Sequence, residues 1–105
     1  MVELSNEIKR KVSQRDNYTC QACDQPTKGQ VHHIKPRRLG GTDDLENLTL
    51  LCGRCHMLIS VVPKFAIQRA WHIPLDEIDD ERTRVIEALR YKGLYFENNQ
   101  SDSVL

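Results

Sequence analysis

Four cysteines in two closely spaced pairs are the residues whose spacing most directly indicates chemistry. Cys20 and Cys23 form one Cys-x-x-Cys pair, and Cys52 and Cys55 form the other. Each pair can present two thiolates to one tetrahedral ion, and four thiolates close the coordination shell of zinc. A closed shell leaves no open position for a substrate. The pattern therefore predicts a structural Zn²⁺ site.

A redox-active dithiol is the alternative interpretation of these pairs. Thioredoxin-like Cys-x-x-Cys motifs lie within a βαβ pattern, which the sequence around these cysteines lacks. Other zinc families fit less well. A finger with two cysteines and two histidines needs its histidines three to five residues apart, whereas here they are adjacent at positions 32 and 33. The His-x-Glu element of the zinc deaminases does not occur either.

Three histidines and one asparagine are interleaved with the cysteines, namely His32, His33, Asn47 and His56. Hydrolysis of a phosphodiester needs a nucleophilic water, a base with a near-neutral pKa, and a cation that stabilises developing negative charge. Histidine is the side chain whose unperturbed pKa suits the base. Because neighbouring side chains on a strand point to opposite faces, we expect His32 and His33 to have different roles.

The stretch from residue 20 to residue 56, CQACDQPTKGQVHHIKPRRLGGTDDLENLTLLCGRCH, resembles the HNH endonuclease family in its four-cysteine subgroup. Three parts carry the resemblance: the His-His-Ile segment that leads to Gly40-Gly41, the Glu-Asn-Leu segment at 46–48, and Leu-Cys-x-x-Cys-His at 51–56. The family implies a ββα-metal core and a metal-dependent endonuclease that hydrolyses DNA phosphodiesters, nicking or with weak specificity. The alternative is a non-catalytic, zinc-stapled nucleic-acid-binding module.

The resemblance also implies a role for each residue of the interleaved group. His33 takes the position of the general base at the end of the first strand. Asn47 takes the middle position, where it orients the backbone or reaches the metal. His56, on the helix, is a ligand of the catalytic divalent metal, such as Mg²⁺ or Mn²⁺. His32 takes the position before the base, which also binds this metal.

The sequence departs from the pattern at Ser60, where some nucleases of this fold carry another histidine. Only two imidazoles are then available to the catalytic metal, so we expect weak metal binding.

Charged residues crowd the same segment. The arginines are candidate contacts for the substrate phosphate, because a guanidinium matches phosphate oxygens; they are Arg37, Arg38 and Arg54. The nearby acids are interpreted as loop solvation and capping groups rather than metal ligands; they are Asp43, Asp44 and Glu46. Phe65 and Trp71 are expected in the core rather than on a base-stacking surface.

The elements that must position these residues follow from apolar spacing and from turn residues. Leu4, Ile8 and Val12 predict a helix over about 5–15, with Ser5 or Asn6 as its N-cap. The other predicted elements are a strand at 30–34, an apolar run at 48–51, and helices at 57–62, 65–71 and 79–92. The fold class is thus small α+β: a core at 16–62 with a flanking N-terminal helix and a helical extension over about 64–93, in a single domain of 1–105.

Composition limits the remaining possibilities. The chain has 105 residues, 39% of them hydrophobic, and a formal net charge of zero. It contains no long apolar run and no apolar segment typical of a signal peptide at its start, so we expect no membrane partner and a cytoplasmic location in a bacterial or phage context. Residues 1–64 are net basic and residues 65–105 net acidic. The oligomeric state, monomer or homodimer, stays open.

Overall fold

Four helices and a two-stranded sheet make up the computed structural model, which describes residues 4–96. In chain order the elements are α1 (Asn6–Arg15), β1 (Gln30–His33), β2 (Leu48–Leu51), α2 (Gly53–Ile59), α3 (Lys64–Trp71) and α4 (Leu75–Tyr91). The predicted small α+β class with a ββα unit, β1–β2–α2, is confirmed. The predicted domain of 1–105 also includes residues 1–3 and 97–105, which lie outside the described part.

Helix α1 begins where the sequence predicts, because Ser5 caps it. The Ser5 hydroxyl accepts a hydrogen bond from the Ile8 amide at 3.1 Å, which satisfies one of the free donors of the first turn. The apolar stripe of α1 then packs on the sheet. Val12 is fully buried in one cluster with Leu48 and Leu50 of β2.

Arg15 and Asp16 fasten the end of α1 to the start of β2. The Arg15 guanidinium donates to the carbonyls of Leu45 and Leu48, each at 2.6 Å. The Asp16 carboxylate accepts from the Leu50 amide at 2.9 Å. These bonds fix the segment that carries Asn47.

Strands β1 and β2 pair antiparallel, with His33 opposite Leu48 and His32 opposite Thr49. The long connection between them turns at Gly40 and Gly41. Gly40 has φ +91°, which favours glycine, and a Cβ at Gly41 would clash with the Lys35 carbonyl oxygen. Only glycine therefore fits this close return of the chain.

Helices α2, α3 and α4 enclose the second apolar cluster, whose fully buried members include Leu51, Leu58, Ile67, Ile78 and Leu89. Three boundaries differ from those predicted. Helix α2 begins at Gly53, before the predicted start at 57, because Cys52 caps it. Helix α2 stops at Ile59 and does not reach Pro63, because the backbone turns extended at Ser60, whose hydroxyl donates to the His56 carbonyl. Helix α4 begins at Leu75, four residues early, because Ile78 extends its buried stripe.

The prediction that Phe65 and Trp71 lie in the core is wrong. Their exposed fractions are 56% and 41%, and Ile67 is instead the fully buried residue of α3. Within residues 4–96, no helix combines the length and apolarity needed to cross a membrane.

Candidate functional site

The cysteine pairs lie on two turns that the fold brings face to face. The first turn is closed by an isolated bridge between Thr19 and Pro26 and by the Cys20 amide, which donates to the Gln25 carbonyl at 2.8 Å. The second turn is the start of α2. Cys52 caps this helix, and its sulfur accepts from the Cys55 amide at 3.3 Å.

The four sulfur atoms form a compact cluster in which all lie within 4.8 Å of one another. The sulfurs of Cys23 and Cys52 are 3.9 Å apart. In a tetrahedral thiolate site with metal–sulfur bonds of about 2.3 Å, adjacent sulfurs are roughly 3.8 Å apart. Cys20 and Cys55 are fully buried, and the other two are half-buried. The cysteines are therefore positioned to bind a metal ion.

The charge state of the cysteines bears on whether the cluster fits a cation. A hydrogen bond from Cys55 lowers the pKa of Cys20 to about 4, and the same contact raises the pKa of Cys55. Burial raises the pKa of Cys23. Four thiolates at this spacing repel one another unless a positive ion lies among them, so the donor set fits a divalent metal.

A cleft of about 300 Å³ lies beside this cluster, and all three histidines of the interleaved group line it. His32 and His33 come from β1, and His56 comes from α2, directly after Cys55. The ring centroids of His32 and His56 are 5.9 Å apart, with an interplanar angle of 77°. Two imidazoles that ligate one ion at about 2.0–2.1 Å have centroids no more than roughly 6.5 Å apart. The observed separation lies within this limit.

Both of these imidazoles are kept in the form that binds metal. Burial, followed by the neighbouring His56 and His33, lowers the pKa of His32 to about 4. Burial also lowers the pKa of His56. A neutral imidazole has a free nitrogen lone pair, which is what a metal ligand needs. Among residues 4–96, no third histidine, cysteine or carboxylate completes a cluster with this pair.

His33 has a different partner. Its Nε2 lies 2.8 Å from Oδ1 of Asp43, and the Arg37 guanidinium donates to both oxygens of the same carboxylate, at 3.0 and 3.1 Å. Hydrogen bonds from Arg37 and then from His33 lower the pKa of Asp43, so this group is an anion. The interpretation of Asp43 as a loop-solvating residue is therefore wrong, since it contacts the expected base. The spacing from His33 gave no sign of this contact, because the loop geometry creates it.

Asn47 lies where the loop returns to the sheet. Its side-chain oxygen accepts from the Lys35 amide at 2.8 Å, and its Nδ2 donates to the carbonyls of Lys35 and Thr42, at 3.1 and 2.7 Å. These bonds tie the end of β1 to the residue before Asp43. Of the two roles expected for Asn47, this geometry matches orientation of the backbone.

The three arginines have different surroundings. Arg37 lines the cleft beside His33. Arg54 donates to Glu81 of α4 at 2.8 Å, so it links α2 to α4. Neither Arg38 nor Arg54 lines the cleft. The structure thus brings one of the three predicted phosphate contacts to the histidines.

Comparison with known proteins agrees with this geometry. Residues 20–60 match the family model described as HNH endonuclease. The chain is also 33% identical over 48 residues to anaredoxin from Nostoc sp. (strain PCC 7120 / SAG 25.82 / UTEX 2576). This match covers 45% of the chain and spans 63% of that protein's length. No solved structure matches the chain.

Proposed function

We propose that this chain, whose residues 20–60 form a domain of the HNH endonuclease family, is a metal-dependent endonuclease that hydrolyses DNA phosphodiesters. One observation carries the proposal. A single cleft holds a carboxylate-bound histidine, His33, together with a pair of neutral imidazoles, His32 and His56, that can reach one ion. A protein that only binds nucleic acid needs neither feature.

His33 is the general base in this proposal. When its Nε2–H donates to Asp43, the ring is held in the tautomer whose Nδ1 carries the free lone pair. Nδ1 then takes the proton from the attacking water. The Asp43 carboxylate stabilises the positive charge that the ring acquires, as carboxylates do beside catalytic histidines.

A divalent ion held by His32 and His56 would stabilise negative charge on the phosphate and on the leaving oxygen. Arg37 lies at the same cleft and is suited to contact a phosphate oxygen, because its planar guanidinium can bridge Asp43 and a second anion. Asn47 holds the loop so that Asp43 faces His33.

The four-cysteine site is proposed to hold a structural Zn²⁺. All four donors are sulfur atoms within 4.8 Å of one another, and four thiolates around one ion leave no coordination position for water. Iron also binds in tetrahedral four-thiolate sites. The redox interpretation of the cysteines is supported by the match to a protein named anaredoxin. Metal analysis separates the structural zinc site from the redox interpretation, since the nuclease proposal expects about one zinc per chain.

A plasmid-nicking assay tests the proposed activity. Supercoiled DNA should be nicked when Mg²⁺ or Mn²⁺ is added, and His33→Ala should lower the rate by roughly 10²–10⁴-fold, the usual contribution of a general base. The zinc content of His33→Ala should equal that of wild type. His72→Asn is the matched control, because His72 is exposed at the end of α3 and asparagine tolerates its positive φ of 58°. Binding of DNA without nicking in either metal would favour the non-catalytic module instead.

A further inference from the structure

A second groove opens between α1 and β1 on the other side of His33. Its volume is about 390 Å³, and it is continuous with the catalytic cleft, because Val31, His33 and Arg37 line both. Lys9 of α1 and Lys28, just before β1, form its walls. The groove therefore leads directly to the proposed general base.

The groove carries two lysine charges that no carboxylate of the described residues neutralises, while Arg37, which also lines it, is paired with Asp43. Lys9, Lys28 and Arg37 line it, and none of its lining residues is a carboxylate. Within the described residues, neither Lys9 nor Lys28 forms an ion pair or side-chain hydrogen bond, and both are exposed. This contrasts with a chain whose formal net charge is zero. Other lysines are paired with acids: Lys11 with Glu7, Lys64 with Asp79, and Lys92 with Asp24.

Between the lysines, the groove is lined by the partly buried Leu4 and Val31, the small side chain of Ser13, the exposed amide of Gln30 and the backbone at Gly29. Gln30 is the one long uncharged polar side chain in this lining, so the groove offers few groups that could read a base. A Cβ at Gly29 would clash with the Leu51 carbonyl oxygen, so the wall there is bare backbone. Lysines with so few neighbouring polar groups favour contact with phosphates rather than with base edges.

We propose that the groove between α1 and β1 binds the phosphate backbone of DNA on one side of the scissile bond, through Lys9 and Lys28. This inference rests on the proposed nuclease function, because the groove ends at His33. The bound strand would place one phosphate beside His33 and Arg37 and its neighbours along the lysines. Recognition of this kind is independent of sequence.

The test measures binding of a fluorescein-labelled 20-base-pair DNA duplex of mixed sequence, in buffer without added divalent ions, over a series of salt concentrations. Each phosphate contact on duplex DNA contributes about −0.9 to the slope of log K against log salt concentration. Lys9→Gln/Lys28→Gln should therefore make the slope shallower by about 1.8. The affinity lost between 50 and 200 mM salt should shrink by roughly tenfold relative to wild type. Lys64→Gln/Lys92→Gln is the matched control, because it changes the net charge equally but away from the groove, and its slope should equal that of wild type.

Each outcome separates the groove from the catalytic proposal. A protein that nicks plasmid while Lys9→Gln/Lys28→Gln keeps the wild-type slope would overturn the groove and leave the nuclease standing. If the wild-type protein never nicks plasmid, yet the salt dependence of DNA binding becomes shallower in Lys9→Gln/Lys28→Gln alone, the groove is supported and the nuclease is refuted. Equal changes in both double variants, or no DNA binding by wild type, would also overturn the groove. Unchanged melting temperatures confirm that the variants are folded.

Discussion

Asp43→Asn is the most informative substitution, because it alters the partner of His33 and leaves the imidazole in place. Asparagine removes the negative charge that stabilises the protonated ring, and its Nδ2 can select the wrong tautomer. Complete loss of a general base costs roughly 10²–10⁴-fold. The side chain of Asp43 is 41% exposed, so water can replace part of its contact. We therefore expect kcat to fall by about 10- to 100-fold.

Folding should change little in this variant. Ion pairs as exposed as that of Asp43 with Arg37 contribute little to the free energy of unfolding. The melting temperature should consequently stay close to that of wild type. Asp44→Asn is the matched control, because Asp44 is the exposed neighbour and its side chain caps no helix. It should nick plasmid at the wild-type rate.

A double-mutant comparison shows whether Asp43 acts through His33. The rate of plasmid nicking is measured for His33→Ala, Asp43→Asn and the combined variant. If Asp43 only positions and stabilises His33, adding Asp43→Asn to His33→Ala should cause no further loss, since residues that act as a unit are not additive. A further tenfold loss in the combined variant, or wild-type activity of Asp43→Asn alone, would refute the assignment.

Two further predictions concern the metals. Cys55→Ser should lose the proposed zinc and unfold the apolar cluster formed by α2, α3 and α4, in which Cys55 is fully buried. Structural zinc contributes about 10–16 kcal/mol to folding in small zinc domains. An unchanged melting temperature with full zinc content would rule out the four-cysteine site. Brief EDTA treatment should leave about one zinc per chain but no activity until Mg²⁺ or Mn²⁺ is added, and His56→Ala should abolish that rescue without changing the zinc content. Two tightly held metals per chain, or full activity in excess EDTA, would contradict the separation of the two sites.

Local patterns predicted most of the ββα unit. The boundaries of α1 and β2 follow from Ser5 as a helix cap and from the apolar run at 48–51, and both were predicted to within a residue. The cysteine cluster was also predictable, because spacing alone limits which thiolates can share an ion. The start of α4 was missed because Leu75 is 45% exposed and adds nothing to an apolar stripe.

Long-range contacts were beyond the reach of the sequence. Asp43 contacts His33 because Gly40 and Gly41 allow the chain to reverse and Asn47 holds the loop by hydrogen bonds. The contact between Arg54 and Glu81, 27 residues away, depends on how α2 packs against α4. The role of Arg54 as a phosphate contact stays a prediction. Neither contact leaves a periodic or spacing pattern in the chain.

The adjacency of Cys55 and His56 couples the cysteine cluster to the proposed catalytic metal site. Helix α2 has seven residues and begins with Gly53, so it is too short to be stable alone. Its position is set by Cys52 and Cys55, whose sulfurs belong to the four-cysteine cluster, and by Leu58 in the core. His56 is carried to within 5.9 Å of His32 by the same turn of helix. In the proposed nuclease, loss of the cluster metal should thus also displace a ligand of the proposed catalytic metal and abolish nicking, although no thiolate takes part in the proposed chemistry. Activity alone cannot distinguish a cysteine variant from a histidine variant, whereas zinc content can, because only the cysteine variant should lose it.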